Sequence, residues 1–310
     1  MAEVAIVIVC MNNPKNLITC LNSIEKYTKI KYEVWVTAYL FTKENLTLVK
    51  EKYPYVKWVE SNEIRGFAEN NNLALRNVNT KYTLILNDDT EFKEPVLDEL
   101  IDSIENTPDA AIMSPKLVYR DGRLQFCGRD PWNALTFIKS DISLIPHDYS
   151  KVTKYTNHNG IFQSYNISGA CFLIKQEIFR QLGFFDERYF FCPEDIALST
   201  LANKEGYKCY VDSDITLYHF AGETRSKVKA ATLPSQRKGS IIYFANGSKI
   251  KLFALECYVA VFSFLKYVMY KFKNNSIEAR AQWNCVKSAF SSKSTKEIFK
   301  KYYAELVKMK

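Results

Sequence analysis

The sequence predicts an α/β fold: a mostly parallel central sheet with helices on both faces, followed by a C-terminal helical region. Three observations lead there. Val4 to Cys10 (VAIVIVC) is a continuous apolar, β-branched run, the pattern of a strand covered on both faces of a parallel sheet. Short β-rich runs then alternate with helical patterns to about residue 127, an order that implies a doubly wound sheet with its site at the carboxyl ends of the strands. Charge divides the chain as well. From Asn246 to Lys310 there are 12 Lys and Arg280 against four Glu, a balance of +9, whereas the first 245 residues hold 29 basic and 30 acidic groups. The expected division is a domain over 1–240 and a basic helical region over 241–310.

Each element has its own local signal. Pro14 opens a helix through Tyr27, with Leu17, Leu21 and Ile24 at helical spacing and Pro suited to the first turn. Tyr32 to Phe41 reads as the second strand, Thr42 to Tyr53 as the second helix and Val56 to Val59 as a short third strand. Arg65-Gly66-Phe67 leads into a helix ending near Asn77, and Tyr82 to Leu86 is the fourth strand, closed by Asn87-Asp88-Asp89-Thr90. A helix from Pro95 to about Glu105 precedes strands at Ala111 to Val118 and Arg123 to Cys127. Residues 128–160 have little periodicity and read as a long loop of the kind that is usually functional. Strand Ser168 to Ile174, helices Lys175 to Leu182 and Asp195 to Glu205, and strands Tyr207 to Val211 and Ile215 to Tyr218 complete the domain.

The C-terminal region differs in kind. Leu252 to Leu265 is apolar and aromatic apart from Glu256, Lys266, Lys271 and Lys273 close the run, and Ile277 to Phe290 and Thr295 to Met309 read as basic amphipathic helices. A spanning helix needs about 20 apolar residues, and a central charge costs about 2.5–3.5 kcal/mol, so a helix lying in the membrane interface fits better than a span. Basic flanks with Tyr267, Tyr270 and Trp283 suit an anionic lipid surface; the alternative is a helical subdomain packed on the first domain. Eight cysteines without a C-x-x-C spacing argue against a disulfide scaffold or a zinc module and for a reducing compartment. Glu3 and the short run to Met11 do not make a secretory signal, so the expected place is the cytoplasm, at the inner face of the plasma membrane. The neutral body argues against nucleic-acid binding.

Three places could carry chemistry. Asp88 and Asp89, at the end of an apolar strand, put hard oxygen ligands at the mouth of the sheet, where Mn²⁺ or Mg²⁺ would keep open positions for phosphate oxygens; a solvated turn has the same composition. Glu194 and Asp195 open a helix, where one carboxylate can cap and the other face a cleft. His219 ends a strand, with Arg225 and Lys227 close behind; it is either structural or a metal ligand beside phosphate-neutralising cations.

In sequence order, VAIVIVCMNNPKNLITCLNSI, NEIRGFAENNNLAL, LILNDDT, SGACFLIKQEIFRQLGFFDERYFFCPEDIAL and LYHFAG resemble the family 2 inverting glycosyltransferases of the GT-A fold, especially rhamnosyltransferase-like members that build bacterial surface polysaccharides. The resemblance covers roughly residues 3–225. It implies that Asp89 binds the metal bridging a donor diphosphate, with His219 facing that metal and Asn87 and Asp88 contacting ribose or metal. Gly66-Phe67-Ala68, with Asn71 or Asn72 on the following helix, falls where the family contacts nucleotide and sugar, and Asn12, Thr37, Arg65 and Arg225 join that donor-binding set. Ser168-Gly169-Ala170 falls where the acceptor and donor-sugar cleft is lined. Glu194-Asp195 matches the family's E-D pair, whose aspartate looks like the general base.

Two departures stand out. The second strand runs VWVTAYLFTKEN, with no carboxylate where the family often reads the pyrimidine base, leaving Thr37, Tyr39 or backbone groups; and Ala197 replaces the last Asp of E-D-x-D. The implied function is metal-dependent, inverting transfer of rhamnose or a hexose from a dTDP- or UDP-linked donor to a glycan acceptor, lipid-linked, at a membrane surface. The alternative, motivated by the two departures, is a degenerate member that binds without catalysing.

Overall fold

The computed structural model describes residues 2–142, 159–220 and 228–308. Its first half alternates β1 (Val4–Met11), α1 (Pro14–Tyr27), β2 (Tyr32–Tyr39), α2 (Lys43–Lys52), β3 (Lys57–Ser61), α3 (Phe67–Leu75) and β4 (Tyr82–Asn87). The short β5 (Thr90–Glu91), α4 (Val96–Glu105) and β6 (Ala110–Val118) follow. Among the described residues these strands join a nine-stranded mixed sheet in the order β3-β2-β1-β4-β10-β6-β11-β5, with β8 (Ile161–Ser164) beside β11 (Lys208–His219) and β10 spanning Cys171–Lys175. The β3-β2-β1-β4 part is wholly parallel, whereas β10 runs antiparallel to both β4 and β6.

The continuous apolar run of β1 is explained by its place in the middle of this parallel part. Val4, Ile6 and Ile8 pack on one side with Leu17, Leu21 and Leu100 from α1 and α4, while Ala5 and Val7 pack on the other with Ala68, Leu75 and Phe179. Both faces are therefore dry, and a period-2 polar alternation would bury polar groups. Strand ends then line up: Cys10 pairs with Ala38 and Val9 with Asn87, so β1, β2 and β4 all finish at one edge of the sheet.

Several expectations need correction. Arg123 to Cys127 is not a strand; Leu124 forms a single bridge to Val118, and the next pairing is the two-residue β7 (Gly128–Arg129) with β9 (Asn166–Ile167). Tyr207 to Val211 and Ile215 to Tyr218 are one strand, β11, whose register against β6 slips between Asp212 and Thr216, so the polar break at Asp212–Asp214 is an irregularity rather than a turn between strands. The stretch 128–160, expected as a loop, contains β7 and α5 (Ala134–Ile142); the rest of that expectation, residues 143–158, lies outside the described residues.

After α6 (Gln176–Gln181) and α7 (Glu194–Lys204), four helices finish the chain: α8 (Lys229–Ala245), α9 (Lys249–Phe272), α10 (Ser276–Ser288) and α11 (Thr295–Val307). Helix α8 runs across residue 240. Ile241, Leu255, Val259, Cys285 and Ala289 form a core between α8, α9 and α10, and a buried ion pair, Lys238 Nζ to Glu256 Oε1 at 2.7 Å, ties α8 to α9. Phe190, Ala231, Phe299 and Tyr302 form another core where α8 and α11 meet the loop before α7.

Candidate active site

Asp89 and His219 are brought together by strand pairing. Thr90 pairs with His219, and Phe220 N donates to Asp89 O at 2.8 Å, so the loop after β4 is stitched to the end of β11. His219 Nε2 lies 3.3 Å from Asp89 Oδ1 and 3.3 Å from Asn87 Nδ2. Asp88 lies beside Cys10, to which its carboxyl is hydrogen-bonded. Burial pushes its carboxyl up to about 7, with the Asp89 charge adding to the rise, while the Cys10 thiol and His219 act in the opposite sense. Burial also holds Cys10 well above the ordinary thiol range.

Asp195 stands on the other side of a three-residue bridge. Gly169 N donates to Asp195 Oδ2 at 2.9 Å, and one residue later Ala170 O accepts from Asn87 N at 2.9 Å. Ser168-Gly169-Ala170 thus links the two carboxylate clusters through backbone alone. A Cβ at Gly169 would come to 3.2 Å from Asp195 Cβ, so the glycine permits this approach. Asp195 Oδ1 also accepts from Ile196 N at 2.8 Å, which fixes the carboxylate plane while each oxygen keeps a second lone pair. Glu194 is buried at the first turn of α7.

Gly66 sits equally close to the loop that presents Glu194 and Asp195. Phe67 N donates to Phe190 O at 3.2 Å, and a Cβ on Gly66 would fall 2.4 Å from that same oxygen. On the far side of the loop a Cβ on Gly239 of α8 would fall 2.6 Å from Cys192 O. Thr295 Oγ1, at the start of α11, accepts from Phe190 N at 3.2 Å and donates to Arg188 O at 2.7 Å, and Phe299 stacks on Phe190 at 4.4 Å. Lys296 pairs at 2.6 Å with Glu69, whose other oxygen accepts from Gly66 N at 3.3 Å.

The remaining residues named from the sequence occupy varied settings. Asn12 has a left-handed backbone, φ +44°, and its Oδ1 accepts from Thr42 N and Asn45 Nδ2. Thr37 is buried and its hydroxyl donates to Asn70 O; Asn71 is buried and its amide donates to Phe67 O. Arg65 donates to Ser61 Oγ and Glu63, and its N–H reaches Tyr39 Oη at 3.3 Å. Arg225 lies outside the described residues. Sequence reading missed Gln125, which contacts His219 twice, and Thr295 and Lys296, which reach the site from the C-terminal region.

A doubly wound sheet with acidic groups at its carboxyl edge, a mixed second half and an E-D pair opening a helix defines the GT-A class. The sequence pattern of glycosyl transferase family 2 matches residues 5–183, and the chain belongs to that family. The mannosyltransferase PcManGT from Pyrobaculum calidifontis, solved with GDP-Man and Mn²⁺, superposes with a TM-score of 0.55 at 15% identity, over 98% of this chain and 80% of that one. The O-antigen biosynthesis protein RfbC of Myxococcus xanthus is 22% identical over 238 residues, covering 72% of this chain and 18% of the relative. An N-acetylglucosaminyl-diphospho-decaprenol L-rhamnosyltransferase of Mycobacterium tuberculosis is 37% identical over 81 residues, 26% of each. The chain thus spans about a quarter or less of the length of these two relatives.

The donor set fits a divalent cation. Among the described residues no three His, Cys, Asp or Glu side chains form a group that could hold a metal, so Asp89 and His219 are a two-member set. Mg²⁺ and its relatives commonly take one or two protein ligands and fill the rest of an octahedron with water and phosphate oxygens, whose neighbouring vertices are about 3.0 Å apart at bond lengths of about 2.1 Å. The 3.3 Å between Asp89 Oδ1 and His219 Nε2 matches that spacing.

Proposed function

We propose that the chain transfers a sugar, rhamnose or a hexose, from a nucleotide-diphosphate donor to a glycan acceptor with inversion at the anomeric carbon. One observation carries the reading: two separate acidic centres, Asp89 with His219 and Asp195 with Glu194, joined by the 168–170 backbone. Inverting transfer needs a base for the acceptor hydroxyl on one side of the sugar and charge stabilisation for the leaving diphosphate on the other. Asp195 takes the proton from the acceptor oxygen as that oxygen attacks. Asp89 and His219 would hold Mn²⁺ or Mg²⁺, which when bound neutralises charge on the departing diphosphate. Gly66 and Phe67 bring backbone close to the donor on the nucleotide side, and Asn87 lies between the two centres.

Replacing Asp195 by Asn leaves Mn²⁺-dependent donor binding intact and lowers kcat by about 10²–10⁴-fold. Asp89→Ala instead weakens calorimetric binding of the pyrimidine nucleoside diphosphates in the presence of Mn²⁺. Wild-type levels of transfer by Asp195→Asn would remove the base assignment.

We further propose a lipid-linked acceptor met at a membrane surface on its cytoplasmic side. Among the described residues α9 is the one helix long and apolar enough to cross a membrane by length and composition, and only 17% of its most apolar window is buried. At 100° per residue Ile250, Phe253, Val261, Phe264, Leu265 and Phe272, all exposed, fall within a sector of about 120°, opposite the buried Leu255, Val259 and Ser263. One face is thus taken by α8 and α10, which suits a helix lying flat with its apolar stripe in the interface and Lys249, Lys251 and Lys271 near lipid headgroups. The decaprenol-linked substrate in the name of the mycobacterial relative agrees with this.

A further inference from the structure

Gln125 lies outside every strand and helix, is buried, and is anchored by its backbone N–H, which donates to Leu117 O at 2.8 Å. Its side chain makes two contacts with a single residue: Nε2 donates to His219 O at 2.5 Å, and Oε1 faces His219 Nδ1 at 2.8 Å. A backbone carbonyl can only accept, so the amide has one usable orientation; flipped, it would set two oxygens against each other. With Oε1 held opposite Nδ1, that ring nitrogen must carry a hydrogen for the same reason. The ring's lone pair is left on Nε2, which faces Asp89 Oδ1 at 3.3 Å. In that form Nε2 can accept from Asn87 Nδ2 at 3.3 Å, and it is the form that offers the Nε2 lone pair to a cation held with Asp89.

We propose that Gln125 is the positioning residue of the cation site: by gripping the backbone carbonyl and the ring of His219 together, it fixes the tautomer and swings Nε2 toward Asp89. This rests on the reading of Asp89 and His219 as the metal-holding pair. A ligating histidine commonly donates its second ring N–H to a neighbouring acceptor, and loss of such a partner typically costs 10–100-fold in metal affinity. Gln125 differs in that its donor end also reads the main chain of the same histidine, so ring angle and tautomer are set by one amide.

The test uses the metal-free full chain, ¹⁵N-labelled. Long-range ¹⁵N–¹H correlation separates His219 from the two other histidines of the sequence, with His219→Gln as the assignment reference. The wild-type ring is expected as the Nδ1–H form. Gln125→Leu is expected to move it toward the Nε2–H form and to weaken Mn²⁺ binding about 10–100-fold, with no further loss when combined with His219→Gln. A wild-type ring in the Nε2–H form overturns the clamp, and that spectrum needs no variant, so it decides even where Gln125→Leu fails to fold. An unchanged tautomer in folded Gln125→Leu overturns it as well. If the tautomer moves but His219→Gln binds Mn²⁺ as tightly as wild type, it is the cation reading of the site that falls, and with it the role of Gln125 there.

Discussion

Asp88 and Asp89 are adjacent in sequence and opposite in circumstance. Asp89 faces His219 at the cleft, whereas Asp88 turns inward, where burial raises its carboxyl to about 7. A carboxyl whose folded value lies above its unfolded one binds more protons folded than unfolded between those values. Stability therefore falls as pH rises from about 4 to about 7, and the loss is complete above that window. In EDTA, Asp88→Asn removes this loss, so its melting temperature relative to wild type climbs between pH 5 and pH 8; a pH-independent difference would contradict the placement. The two roles were not separable in the sequence, where NDDT reads alike as a metal loop or a turn. Which carboxylate faces His219 was decided by β11, more than a hundred residues later, through the pairing of His219 with Thr90.

At the scale of elements, the loop 190–193 is held between α3, α8 and α11. Thr295→Val leaves the N–H of Phe190 without its acceptor and should cost about 1–3 kcal/mol, read from the urea midpoint, with kcat falling because Asp195 follows within five residues. Gly239→Ala puts a methyl group against Cys192 O and should cost a similar ~1–3 kcal/mol by overpacking. A Gly239→Ala protein as stable and as active as wild type would mean that α8 is free to move off the loop. The strands and helices of the first half were legible because each has its own periodicity or cap, as with Asn13 and Pro14 opening α1. Gln125 and Thr295 were not, since their partners are 94 and 105 or more residues away and neither lies in a recognisable motif. The break at Asp212–Asp214 was misread for the opposite reason: a polar cluster is a strong local turn signal, and only pairing with β6 and β8 on its two sides shows that the strand continues.

For the whole molecule, the charge division at residue 245 separates composition but not structure. The basic region supplies α11, which bonds to the loop before α7 and, through Lys296, to the helix that opens at Gly66. Deleting 246–310 would thus strip the support of the loop before α7 as well as the apolar stripe, and lost activity would say nothing about lipid. The sharper variant is Phe253→Ser with Phe264→Ser and Leu265→Ser, all exposed on one face of α9. Its melting temperature should match wild type while sedimentation with anionic liposomes is lost. Undiminished sedimentation would count against the surface reading of α9.

The bridge Ser168-Gly169-Ala170 has a consequence for stereochemical fidelity. Because Asn87 N and Asp195 Oδ2 are held by consecutive residues of one tight turn, the gap between the proposed base and the proposed leaving-group side is gauged by peptide geometry as well as by side-chain rotamers. On the proposed reading, a displacement of either cluster is passed to the other through that turn, so the line of attack is kept better than by two independently mounted groups.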